Sequence, residues 1–141
     1  MYSCKKYEDG QFTLRTPEKR LVRKWKADKL IKNEYVFDDN LSIEFIKKNS
    51  EHSDYNGTFT FTETYTDTIS HSLTLNGNWK LSDDKNEIYL YYSYISSSNT
   101  NSSGYYITGR DNWIIRKLTK DKFSIDYYYR NIIEHIDFES N

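Results

Sequence analysis

Ile69-Ser70-His71-Ser72-Leu73-Thr74-Leu75-Asn76-Gly77-Asn78-Trp79-Lys80-Leu81 alternates without a break. Ile69, His71, Leu73, Leu75, Gly77, Trp79 and Leu81 share one parity, and every residue between them is polar. A period of two describes a strand with one buried face. A strand this long must bend, and Asn76-Gly77 is the expected place for a bulge.

The same alternation extends in both directions. Upstream, Phe59, Phe61 and Tyr65 alternate with Thr58, Thr60, Thr62 and Thr64, after an Asn56-Gly57 hairpin signal. Glu63 falls on the apolar parity of that strand. Leu41, Ile43 and Phe45 form an earlier strand, and Trp25, Ala27 and Ile31 one before it, opposite Lys24, Lys26 and Lys32. Downstream, Ser82 to Asn86 reads as a turn. Ile88, Leu90 and Tyr92 then oppose Tyr89, Tyr91 and Ser93. Trp113 and Ile115 begin another strand after the low-complexity stretch 96–104. Phe123, Ile125 and Tyr127 follow, opposite Ser124, Asp126 and Tyr128, and a last strand runs from Ile132 to Phe138. Thr16-Pro17-Glu18 has the form of a capped helix start, with apolar support only from Leu21 and Val22, so one or two turns are expected.

About eight strands joined mainly by short turns must hide their edges, which favours an up-and-down barrel or a strongly coiled sheet. Composition agrees. Ile, Val, Phe, Tyr, Trp and Thr number 51 of the 141 residues, against one Ala. Only 31 residues are Ile, Leu, Val or Phe, so the 24 aromatics must supply much of the core. A net charge of −1 disfavours nucleic-acid binding by bulk charge. The seven basic residues between Lys19 and Lys32 read as the wet face of the Trp25 strand. His52, His71 and His135 have no metal-ligand spacing, and no nucleophile or phosphate-loop motif is present. No metal, cofactor or catalytic residue is therefore expected.

Cys4 is the single cysteine, which rules out an internal disulfide. It follows Ser3 and precedes the polar run Lys5-Lys6-Tyr7-Glu8-Asp9-Gly10, which resembles the start of a mature bacterial lipoprotein. With the Trp25 strand behind a short helix, the stretch Gly77-Asn78-Trp79-Lys80-Leu81-Ser82-Asp83-Asp84 and the closing hairpin from Trp113 to Ile125, the chain resembles the small bacterial lipocalin-like lipoproteins. That resemblance implies an all-β, antiparallel, roughly eight-stranded lipocalin-like (calycin-like) barrel with a short N-terminal helical turn. It also implies a tether over residues 1–15 lipidated at Cys4, a barrel domain over 16–141, and an outer-membrane location in the cell envelope.

Ligand binding is the function such a fold suggests, with a small hydrophobic molecule as partner. Trp25, Phe45, Phe59, Phe61, Leu73, Trp79, Leu90, Tyr92, Trp113, Ile115 and Tyr127 are the expected cavity-facing residues. Inward carboxylates such as Glu63 or Glu134 offer a contact for a polar head. The alternative is an interaction protein that contacts another envelope component through Tyr89, Tyr91 and Tyr128, tyrosines on the parity opposite the core.

Overall fold

In the alternating stretches, one side chain in two is covered on folding, and the covered parity is the apolar one wherever the pairing register is regular. The computed structural model describes residues 16–32, 35–37, 40–48, 54–66, 68, 70–96, 105–129 and 131–141. Cys4, the tether, His52, the stretch 97–104 and the His71 side chain lie outside the described residues.

A short helix, α1 (Pro17–Leu21), precedes nine strand segments: β1 (Lys24–Lys32), β2 (Tyr35–Phe37), β3 (Asn40–Lys47), β4 (Gly57–Thr66), β5 (Ser70–Leu81), β6 (Glu87–Ser96), β7 (Tyr105–Leu118), β8 (Lys122–Tyr129) and β9 (Ile132–Ser140). Each strand from β3 to β8 pairs antiparallel with the next. β2 and β3 follow one another along the same edge of β1, at Leu30–Lys32 and Lys24–Lys26, and so act as one interrupted stave. The other edge of β1 pairs with β9, closing an eight-stranded antiparallel barrel.

Two register shifts set which side chains enter the barrel. In the β1–β9 ladder Ala27 pairs with Phe138 but Lys29 pairs with Asp137, leaving Asp28 as an extra residue. Parity reverses there, so Leu30 is buried while Ile31, expected inside, is only half-buried. A second shift at Arg116, between Ile115 and Lys117, directs Leu118 inward.

The expected bulge at Asn76-Gly77 is absent, because both ladders run through these residues in register. Gly77 serves close approach instead: a Cβ there would lie 1.8 Å from the Tyr91 carbonyl oxygen. Asn56-Gly57 is not a hairpin tip either. Gly57 opens β4 opposite Lys47, and its missing Cβ leaves room for the Trp79 indole, whose Nε1–H donates to the Ile46 carbonyl at 3.1 Å. β7 starts eight residues before Trp113, earlier than its polar first half suggests.

One end of the barrel is solid. Trp25, Trp79, Phe45, Phe123 and Phe138 are all fully buried there, with ring centroids 5.3 Å apart for Phe45–Trp79 and Phe123–Phe138 and 5.4 Å for Trp25–Phe123. α1 caps this floor. Thr16 Oγ1 accepts from the Lys19 amide, Leu21 is fully buried, and the Leu21 carbonyl accepts from Trp25 Nε1 at 3.1 Å. Arg23 covers Trp25 from outside, 5.4 Å from the ring, and donates to the Lys120 carbonyl at 2.7 Å.

Stability is therefore concentrated at the floor. Trp79→Ala should cost about 3–5 kcal/mol, the range for deleting a large core aromatic. Leu73→Ala, at a site 40% exposed near the opposite end, should cost under about 1 kcal/mol. Urea denaturation of the two variants checks the contrast.

Candidate functional site

Above the floor the strands enclose a cavity of about 120 Å³. Its size compares with the engineered apolar cavity of about 150 Å³ that holds benzene. Phe59, Phe61, Leu73, Leu90, Tyr92, Trp113 and Tyr127 line it, as expected from parity. Trp25, Phe45, Trp79 and Ile115 do not. They face inward, but at the level where ring packing fills the barrel. Leu30, Leu41, Leu75, Asp111 and Ile136 complete the wall with Glu63 and Glu134. Leu30 was hidden by the shift at Asp28. Asp111 keeps the parity of Trp113 and Ile115 and becomes legible once β7 is extended backward.

Three carboxylates thus enter an otherwise apolar and aromatic chamber from three strands. Glu63 stands opposite Leu41, Asp111 opposite Leu90 and Glu134 opposite Tyr127. Glu134 is only 7% exposed. Burial, and then the charge of Glu134, push the Asp111 carboxyl above the usual carboxylate range, against a hydrogen bond from Tyr92. The Tyr127 hydroxyl is held far above the ordinary phenol value. Burial is the largest cause, followed by its bond to Glu134 and the charges of Glu134, Asp111 and Glu63. The Tyr127 hydroxyl is within electrostatic reach of all three acids, which line one chamber.

Local backbone chemistry places Tyr92. Gly109 pairs across the ladder with Tyr92, and a Cβ on it would come within 2.5 Å of Tyr92 Oη. The bare glycine lets the ring lie over β7 and reach Asp111. Trp113 links chamber to floor: its ring stacks on Phe138 at 5.9 Å and meets Phe61 edge-on at 6.3 Å. Its Nε1–H is buried with no acceptor among the described residues. Also among the described residues, no three His, Cys, Asp or Glu side chains are grouped to hold a metal ion.

The outer tyrosines differ from one another. Tyr89 Oη donates to Glu87 at 3.3 Å beneath the Arg110 guanidinium, and the Tyr91 ring lies 5.3 Å from Tyr55. Both are half-buried in contacts within the chain. Tyr128 is 61% exposed and stands opposite Ile133, itself exposed.

No family model matches the chain, and a search of curated proteins finds no match.

His135 lies on the outer face, away from the cavity, and joins a network across three strands. Its Nδ1 meets Asp126, its Nε2 lies 2.8 Å from Asp137, and Arg116 donates to Asp126 at 2.8 Å. Burial alone would lower the His135 pKa, but the two aspartates outweigh it and raise the value. A raised histidine contributes stability that is full below its ordinary value of 6.5 and is lost as pH rises through the folded value. Asp126 runs the other way. Burial pushes it up, but bonds from His135 and Arg116 prevail and lower it, so its contribution disappears as pH falls. Denaturant midpoints should therefore decline from slightly acid to alkaline pH, and His135→Asn should flatten that decline.

Proposed function

We propose that this protein is a lipocalin-like binding protein that holds a small, partly apolar ligand in the open half of its barrel. The observation that carries the reading is the division of the interior. Aromatic rings fill one half, while the other keeps an apolar chamber edged with polar groups. Ligand sites share that combination of a mainly apolar wall and few convergent polar groups. A barrel that needed only a core would fill this volume with side chains.

No catalytic step belongs to the reading. Among the described residues, the titratable groups that line the chamber are the carboxylates Glu63, Asp111 and Glu134 and the tyrosines Tyr92 and Tyr127, and no Ser, Thr, Cys or Lys lines it beside them.

Anchoring in the cell envelope through a lipid on Cys4 is part of the proposal and draws on the sequence resemblance. The interaction reading has less behind it, since Tyr89 and Tyr91 already engage neighbours within the chain. Of the three tyrosines, Tyr128 is the exposed one, and it stands opposite the exposed Ile133.

Toluene, titrated against labelled protein and followed by heteronuclear NMR, should move the Trp113 indole resonance and the amides of Leu75 and Leu90. The Trp79 indole should stay in place. Leu75→Trp, which fills the chamber, should abolish the shifts, and a wild-type protein that shows none would defeat the reading. The anchor is tested separately by palmitate labelling of cells carrying the native gene. Label should enter the wild-type protein and be lost in Cys4→Ala.

A further inference from the structure

The reading of the cavity as a ligand site leaves open what chemistry it selects. An unselective apolar site needs no charged wall, yet three of the fourteen described lining residues are acidic. Among the described residues, no Lys, Arg or His lines the chamber. The carboxylates do have partners: Tyr92 on Asp111 and Tyr127 on Glu134. A hydroxyl partner satisfies a lone pair and leaves the charge in place.

The rings of Phe61, Trp113 and Tyr127, arranged edge-on or tilted about one another, line the same chamber as the three acids. Carboxylates beside ring faces are a favourable setting for an organic cation, which gains both ion pairing and attraction to the ring quadrupole. A metal ion would require three ligating groups drawn together, which the described residues do not provide.

A second observation is independent of the acids. Trp113 is only 3% exposed and its indole borders the chamber, yet Nε1–H finds no acceptor among the described residues. A buried donor in that state carries its full desolvation cost. An acceptor atom on a bound molecule would remove the cost.

Resting on the binding reading above, we infer that the cavity selects a small amphipathic amine. Its ammonium sits among Glu63, Asp111 and Glu134, its apolar body against Trp113 and Phe61, and a heteroatom of that body accepts from the Trp113 indole.

Three compounds of one shape test this: phenoxyethylamine, phenoxyethanol and phenoxyacetate, a cation, a neutral molecule and an anion with the same ring and ether oxygen. Affinities come from NMR titration at neutral pH, with the Trp113 indole resonance as reporter. The amine should bind about tenfold or more tighter than the alcohol, the scale of a charge-assisted hydrogen bond, and the acetate should bind weakest. In Glu63→Gln/Asp111→Asn the amine should lose affinity and its preference over the alcohol should largely vanish. Single Asp111→Asn serves the same comparison with less disturbance should the double variant fold poorly.

An alcohol that binds as well as the amine, or an acetate that binds better, overturns the charge assignment and leaves the cavity reading standing. A preference for the amine that survives in the folded variants also overturns the assignment. Failure of all three compounds to shift the reporter overturns both.

Discussion

The pairing of β1 with β9 is the constraint on which the other features depend. Without it the chain is a sheet with two open edges, and backbone groups from Trp25 to Lys32 and from Glu134 to Ser140 lack partners. Closing the sheet requires β1 to bend, and the extra residue at Asp28 accompanies that bend. Strict alternation from Trp25 would have pointed Lys29 into the interior. The shift turns Lys29 to solvent and puts Leu30 in the cavity wall instead. A lysine there would have stood among Glu63, Asp111 and Glu134. The acidic character of the chamber thus follows in part from how the barrel closes.

The two halves of the barrel divide the aromatic residues by chemistry. Trp25, Phe45, Trp79, Phe123 and Phe138 collect at the floor, where rings pack against rings and each of the two indole N–H groups meets a backbone carbonyl. Tyr92 and Tyr127 sit higher, where an apolar body must end in a polar tip. A phenol suits that level, because its ring completes the wall while its hydroxyl reaches a carboxylate. Trp113 belongs to both halves, stacked on Phe138 yet bordering the chamber. It is also the tryptophan whose N–H finds no acceptor among the described residues.

Much of this was legible in the sequence, and the misses have physical causes. Parity assigned Phe59, Phe61, Leu90, Tyr92, Phe123, Ile125 and Tyr127 to the interior because the ladders around them run in regular register. It failed at Ile31, and passed over Leu30 and Leu118, because a one-residue shift reverses every side chain beyond it. Asp111 was missed for another reason. The residues before Trp113 are too polar to read as a strand alone, and pairing with β6 from Tyr105 onward is what makes them one. Depth was also invisible: alternation tells inside from outside, but not floor from chamber. Trp25, Phe45, Trp79 and Ile115 therefore had the right face and the wrong level.

Desolvation sharpens the contrast between the halves. Burying a carboxylate disfavours its charged form, and the raised Asp111 value reflects that cost. An apolar residue of similar volume at position 111 would pack the chamber without it, since replacing a buried acid by an apolar group is often neutral or stabilising. The glycine at position 109 points the same way: a larger residue would strengthen the strand, but it would displace the Tyr92 ring that reaches Asp111. Two local choices, one electrostatic and one steric, both weaken the barrel to keep a polar pole inside an apolar chamber. A cation bound at that pole would offset the repulsion among the acids, so occupancy and stability would rise together.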